Sequence, residues 1–262
     1  MAGFLKLVTG CVLMMVSWSV FSQETSMARV EGGSFLPLYG TSTEVTIESF
    51  MMDRYPVTNA QFAAFLEGSP QWKRSRVKRL FADSNYLRSW AGDLDPGPAN
   101  DPDAPVTNVS WYAAKEFCEC QGKRLPKVEE WEYAAMASEE LPDARADKDF
   151  NSYILSWYET PTTYDNQVGK TFRNYWGIYD LHGLVWEWTL DYNSVLISGE
   201  SRKDAVGDNS LFCGAAAVSA TDLMNYAAFM RYAFRGSIKA SYAIENLGFR
   251  CVGQIDEQKN ML

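Results

Sequence analysis

The chain has 262 residues, 47% of them hydrophobic, enough for one substantial core or two small ones, and it is neither a disordered nor a fibrous sequence. A formal net charge of −9 and a pI near 4.8 argue against a nucleic-acid partner, because phosphate binding needs a basic surface. With one histidine, His182, the chain cannot build a three-histidine zinc site, a two-histidine iron site or an HExxH protease.

Residues 1–22 place Lys6 ahead of an apolar run from Leu7 to Phe21, interrupted by Thr9, Gly10 and Ser17, with short residues at its end. That is the pattern of a secretory signal peptide, so an exported, periplasmic or secreted protein is expected. The run falls short of the ~18 apolar residues a membrane span needs, and no second such stretch follows. Cys11, after Val8, Thr9 and Gly10, imitates a lipoprotein box only loosely, since the apolar region follows it. Residues 23–262 show no repeat and no long polar linker, and read as one mature domain. Export makes disulfides possible among Cys118, Cys120, Cys213 and Cys251. Four cysteines allow three pairings.

After a short linker, segments 32–40 and 44–54 carry glycine turns and period-two alternation at Val45, Ile47 and Ser49, which predicts a hairpin-like pair of strands. Thr58 with Gln61 three residues on has capping-box spacing, and Phe62, Phe65 and Leu66 give the following helix one apolar face before Gly68 stops it. Segment 72–80 concentrates Lys73, Arg74, Arg76, Lys78 and Arg79 in an otherwise acidic chain. It is either a solvated stretch or a docking patch for an acidic partner. Residues 91–107, with four prolines and four aspartates, form a long irregular loop.

A helix capped by Ser110 is predicted to carry Trp111, Ala114, Phe117 and Cys118 on one side and to end at Gly122. Cys118 and Cys120, two apart on it, point to different sides and do not pair with each other. Pro126 opens a second helix with Trp131, Ala134 and Ala135 inward. From Leu141 to Arg173 no periodicity stands out. Segment 176–192, WGIYDLHGLVWEWTLDY, then packs three tryptophans and the acceptors Asp180, Glu187 and Asp191 around a glycine, which points to a bound cation. Leu247, Phe249 and Cys251 alternate as a closing strand. Short strands, two or three helices and many ordered loops give an α+β class with low regular secondary structure. No GxGxxG, P-loop or G-x-S-x-G motif occurs, so nucleotide binding and serine-hydrolase chemistry lack support.

In order, the segments GGSF, MDRYPVTNAQF, PVTNVSWYAA, CQGKRLPKVEEWEYAA, YWGIYDLHGLVWEW and NLGFRCV resemble the formylglycine-generating enzyme, or sulfatase-modifying factor, family. The resemblance runs from about residue 30 to residue 252. It implies a compact C-type-lectin-like fold stabilised by calcium and disulfides. It further implies a structural calcium ion held by the side chains of Asp180 and Glu187 and the carbonyls of Gly183 and Val185, an oxygen set that suits calcium. A second family calcium site would lie between Asn151 and Asp165, in a loop that is shorter here. The resemblance pairs Cys118 with Cys251 and leaves Cys120 and Cys213 as a second disulfide, free thiols or a soft-metal site.

The chain departs from the family where the family binds copper(I) through two cysteines. Counting back from NLGFRC, those positions are Asp222 and Ala227, neither of which supplies a thiolate, and a third family cysteine falls at Tyr232. Copper is therefore not carried over, and Cys213, upstream and without a spaced partner, is a weak substitute. Arg235 matches a family arginine, either as a clamp for a substrate carboxylate or as a structural ion-pair partner. Relatives using three-histidine iron are ruled out by the histidine count; others serve in periplasmic maturation. The run of GLVWEW, LFCGAA, YAAFMRYAFR and NLGFRC also looks like exported accessory proteins linked to copper nitrite reductase. The expected function is an exported maturation or accessory factor acting on a protein or peptide partner. The alternative is a non-catalytic, calcium-stabilised binding or assembly module, and catalysis itself stays open.

Overall fold

The computed structural model describes residues 27–38, 43–160, 163–194 and 223–255; the expected signal peptide, Cys213 and Asp222 lie outside them. The first strands are short: β1 (Met27–Val30), β2 (Gly33–Phe35), β3 (Val45–Ile47) and β4 (Phe50–Asp53). The hairpin read from the sequence is the antiparallel pair β2 and β3, with Gly33 opposite Ile47. The segment read as linker instead forms β1, which pairs antiparallel with β4 and buries Ala28 and Val30 on one face by simple alternation.

Helix α1 (Asn59–Gly68) starts on the expected reciprocal cap, with Gln61 N donating to Thr58 Oγ1 and Thr58 N donating to Gln61 Oε1. Helix α2 (Trp111–Glu119) is capped by Ser110, and α3 (Val128–Ala135) buries Trp131, Ala134 and Ala135 as predicted. Two further helices were not foreseen. α4 (Lys148–Tyr158) rises from an Asp147 cap inside the stretch without evident periodicity, and α5 (Leu223–Ser237) covers the segment whose side chains line the site below. Among the described residues these five helices and the short strands leave most of the chain in ordered loops, in line with the α+β class.

The tryptophan-rich segment and the closing segment meet as parallel strands, β5 (Trp186–Glu187) beside β6 (Leu247–Gly248), and β7 (Val252–Gly253) then joins β4. Gly248 is required at this crossing, because a Cβ there would lie 2.8 Å from the Val106 carbonyl oxygen. A disulfide joins Cys118 to Cys251 with their Cα atoms 5.6 Å apart, inside the aromatic cluster of Phe62, Phe117, Trp188 and Phe249. Asp53 holds the same closing strand: its carboxylate accepts from Cys251 N and pairs with Lys123 Nζ at 2.8 Å. Burial pushes the Asp53 carboxyl up, and the lysine opposes it. Cys120 ends α2 as an exposed, free thiol.

The basic segment divides. Arg74 turns inward and donates to the carbonyls of Leu87, Arg88 and Trp90, whereas Arg76, Lys78 and Arg79 stay exposed beside Leu80, itself 75% exposed. No helix of the described residues is long and apolar enough to cross a membrane.

Candidate functional site

The register of β5 and β6 sets Trp186 opposite Leu247 and Glu187 opposite Gly248, two residues before Arg250. Glu187 and Arg250 are both fully buried there, and the carboxylate lies in the guanidinium fork, with Nε and a terminal nitrogen 2.8–2.9 Å from its oxygens. Trp131 Nε1 adds a bond of 2.7 Å to Glu187 Oε2. The remaining Arg250 donors reach the carbonyls of Asp53, Arg54 and Tyr179. A buried carboxylate demands a cation or several donors, and Arg250 supplies both.

Asp180 sits at φ +61, a left-handed turn position that Asp and Asn tolerate best. Its carboxylate accepts from Gly169 N, Thr171 N and Thr171 Oγ1, which ties the preceding loop down. Gly183, at φ +92, is needed for a steric reason as well: a Cβ there would lie 2.4 Å from the indole of Trp157.

These arrangements bear directly on the calcium expected from the family resemblance. As placed, the residues do not fit an ion held through both side chains: each Glu187 oxygen is engaged by Arg250 or Trp131, and Asp180 is engaged by the 169–171 loop. The positive charge that faces Glu187 is the Arg250 guanidinium. In the region expected to hold a second calcium, α4 carries the buried Asn151, whose amide nitrogen donates to Arg145 O and whose Oδ1 has no partner among the described residues.

Beside this pair opens a cavity of about 250 Å³ between α4, the tryptophan-rich segment and α5. Its apolar walls are Trp157, Trp186 and Phe234, the last two stacked at 4.5 Å between ring centroids. Its polar wall includes Arg231 and Arg235, which share a buried partner outside the lining, Glu132. Glu132 accepts from Nε and a terminal nitrogen of Arg231 at 2.6–3.1 Å and from Arg235 NH1 at 2.7 Å. Both guanidiniums also lie over the Trp131 ring, at 5.6 and 5.0 Å from its centroid. Burial opposes the Glu132 charge, but the two guanidiniums outweigh it and hold the carboxyl at about 2. Arg231 and Arg235 are four apart on α5 and so share one face.

His182 lines the same cavity and donates from Nε2 to the Ala135 carbonyl at 2.8 Å. Burial, with Arg231 nearby, pushes its pKa down to about 4, so the ring is neutral at physiological pH. The linkage follows from the direction. The unfolded ring binds a proton near pH 6.5 and the folded ring only near 4, so stability is complete above 6.5 and is lost as pH falls through that window, by about 3 kcal/mol at most. As the chain's one histidine, it gives a single imidazole signal in proton NMR. That signal is expected to titrate near 4, with a midpoint above 6 contradicting the buried placement.

Of the residues singled out from the sequence, the structure brings Gly183, Val185, Glu187 and Arg235 to this cavity and leaves Asp180 out of its lining, bonded to the 169–171 loop. Arg235 is an ion-pair partner of Glu132 and a lining residue at once. Ala227, at a family cysteine position, is buried against Phe150 and Ile154 of α4, and Tyr232, at another, packs on Val128. Glu132, Trp157, Arg231 and Phe234 were missed. Their signal was present in the i, i+4 spacing of Arg231 and Arg235 and in a glutamate on the inner face of α3.

Residues 17–255 match the sulfatase-modifying factor enzyme 1-like domain model. The chain belongs to this family. Among its relatives, the mouse protein named inactive C-alpha-formylglycine-generating enzyme 2 is 26% identical over 92% of this chain and 90% of its own length. A Chlamydia pneumoniae protein named serine/threonine-protein kinase pkn1 is 33% identical over 64% of this chain, which spans 28% of the kinase. The family fold is also that of PvdO from Pseudomonas aeruginosa, with a TM-score of 0.50 at 16% identity over 87% of this chain and 94% of that one.

Proposed function

We propose that this family member is an exported maturation or accessory factor that engages a protein or peptide partner at the cavity between α4, the tryptophan-rich segment and α5, without the copper–cysteine oxidase site. The observation that carries the reading is the cavity's makeup: aromatic walls and an arginine pair, with the family's thiol positions given to Asp222 and the buried Ala227. A concave site with aromatic walls and a few convergent polar groups is what a ligand-binding site looks like. The name of the mouse relative, an inactive formylglycine-generating enzyme, supports a role that does not depend on the oxidase chemistry. The Cys118–Cys251 disulfide fits an oxidising compartment and supports export. A link to respiratory nitrite or copper metabolism rests on the likeness of the GLVWEW, LFCGAA and NLGFRC run alone.

A second reading, a non-catalytic assembly module docking through its basic segment, is favoured by the exposure of Arg76, Lys78, Arg79 and Leu80. One experiment separates the two. A photo-crosslinking residue at Thr160, exposed at the cavity, or at Leu80 in the basic segment is introduced into the protein expressed in its own cells. The cavity reading expects a discrete adduct from Thr160 that Trp186→Ala abolishes. An adduct from Leu80 alone would transfer the function to the basic segment.

A further inference from the structure

We infer that the cavity selects a carboxylate carried on a residue-sized apolar group, with the guanidinium of Arg235 reading the charge. This deepens the reading just proposed and rests on the cavity being the partner's site. Arg235 is 4% exposed, yet among the described residues only one bond, from NH1 to Glu132, occupies its five N–H groups. Arg231, by contrast, spends Nε and a terminal nitrogen on Glu132 and reaches the Tyr158 hydroxyl with another. A nearly buried guanidinium whose donors face a cavity wall is costly unless something accepts from it.

The charges around the cavity agree. Glu132 balances one of Arg231 and Arg235, and Glu187 is balanced by Arg250. His182 is neutral. Among the described residues, one positive charge is left over at this point in a chain whose net charge is −9. Planar carboxylates suit such a fork, which binds them through two parallel N–H groups. Size and walls fix the rest of the ligand. About 250 Å³ lies below the ~300–1,000 Å³ of sites for drug-sized ligands, so it admits one side chain or one terminal residue rather than a nucleotide-sized cofactor. Trp157, Trp186 and Phe234 give that residue apolar faces.

A carboxylate of this kind comes either from a chain terminus or from an acidic side chain, and three probes distinguish the sources. N-acetyl-phenylalanine carries a terminal carboxylate, N-acetyl-phenylalaninamide carries none, and acetyl-Ala-Glu-Ala-amide carries only a side-chain carboxylate. Binding is measured by saturation-transfer NMR titration on the full mature protein. At least one carboxylate probe is expected to bind tenfold or more tightly than the neutral amide, and the preferred one names the source. Arg235→Gln should close that gap to under twofold, whereas Trp186→Ala should weaken acid and amide alike. Should Arg235→Gln fail to fold, the acid-to-amide ratio on the unaltered protein decides alone. Equal binding of all three probes, sensitive to Trp186→Ala, would overturn the charge selection while leaving the cavity as the partner's site. Absence of binding by any probe, together with no crosslink from Thr160, would overturn both.

Discussion

Replacing Arg250 by methionine is expected to lower the free energy of unfolding by about 3–5 kcal/mol, the loss found when one member of a buried ion pair is removed and the other is left charged. Glu187 would keep only its bond to Trp131, and the carbonyls of Asp53, Arg54 and Tyr179 would lose the donors that tie β4 and the tryptophan-rich segment to the closing strand. Urea denaturation measures the loss, and the comparison that matters is between excess calcium and a chelator. Because the cation facing Glu187 is the guanidinium, the loss should be the same in both. Recovery of most of the stability on adding calcium would show that an ion takes the place assigned to Arg250. Glu187→Gln should cost less than Arg250→Met, since the amide oxygen can still accept from Trp131 and the arginine keeps its three carbonyls.

The second large effect belongs to the disulfide. Cys118 and Cys251 are 133 residues apart, and a crosslink closing a loop of that length removes about 5 kcal/mol of chain entropy from the unfolded state. Cys118→Ala with Cys251→Ala should therefore lower Tm by roughly 10–20 °C in a domain of this size. Cys120→Ser, at an exposed free thiol, should leave Tm within about 2 °C of the parent. Thermal unfolding by circular dichroism without reductant reads both variants. A drop under about 3 °C for the double variant would mean that the aromatic cluster holds the closing strand without the crosslink.

Elements whose local chemistry and burial agree were legible in the sequence. The Thr58 and Gln61 cap, the Ser110 cap, the inward face of α3 and the β2–β3 hairpin all follow from residues within a few positions of one another. Helix α4 was not found, because its buried residues Phe150, Asn151 and Ile154 mix polar and apolar on the inner face and exposed aromatics such as Tyr153 blur the period. The tryptophan-rich segment was recognised as the centre of the molecule and as acceptors in need of a cation. What its sequence did not reveal was the source of the charge: Arg250 lies 63 residues away and reaches Glu187 only through the β5–β6 crossing. The cavity was half legible for the same reason. Arg235 stood out by family likeness, but Glu132 lies 103 residues from it, so the triad that leaves Arg235 with spare donors exists only in the fold.

The central claim is that this family member works at an aromatic and arginine-lined cavity and not through a copper–thiolate centre. The most direct test supplies the mature protein, its Cys118–Cys251 disulfide intact, with one equivalent of copper(I), oxygen and a cysteine-containing peptide, and follows the peptide by mass spectrometry. The account predicts that the peptide cysteine stays intact and that no aldehyde appears. Repeated turnover to an aldehyde, lost on Cys120→Ala or Cys213→Ala, would contradict it.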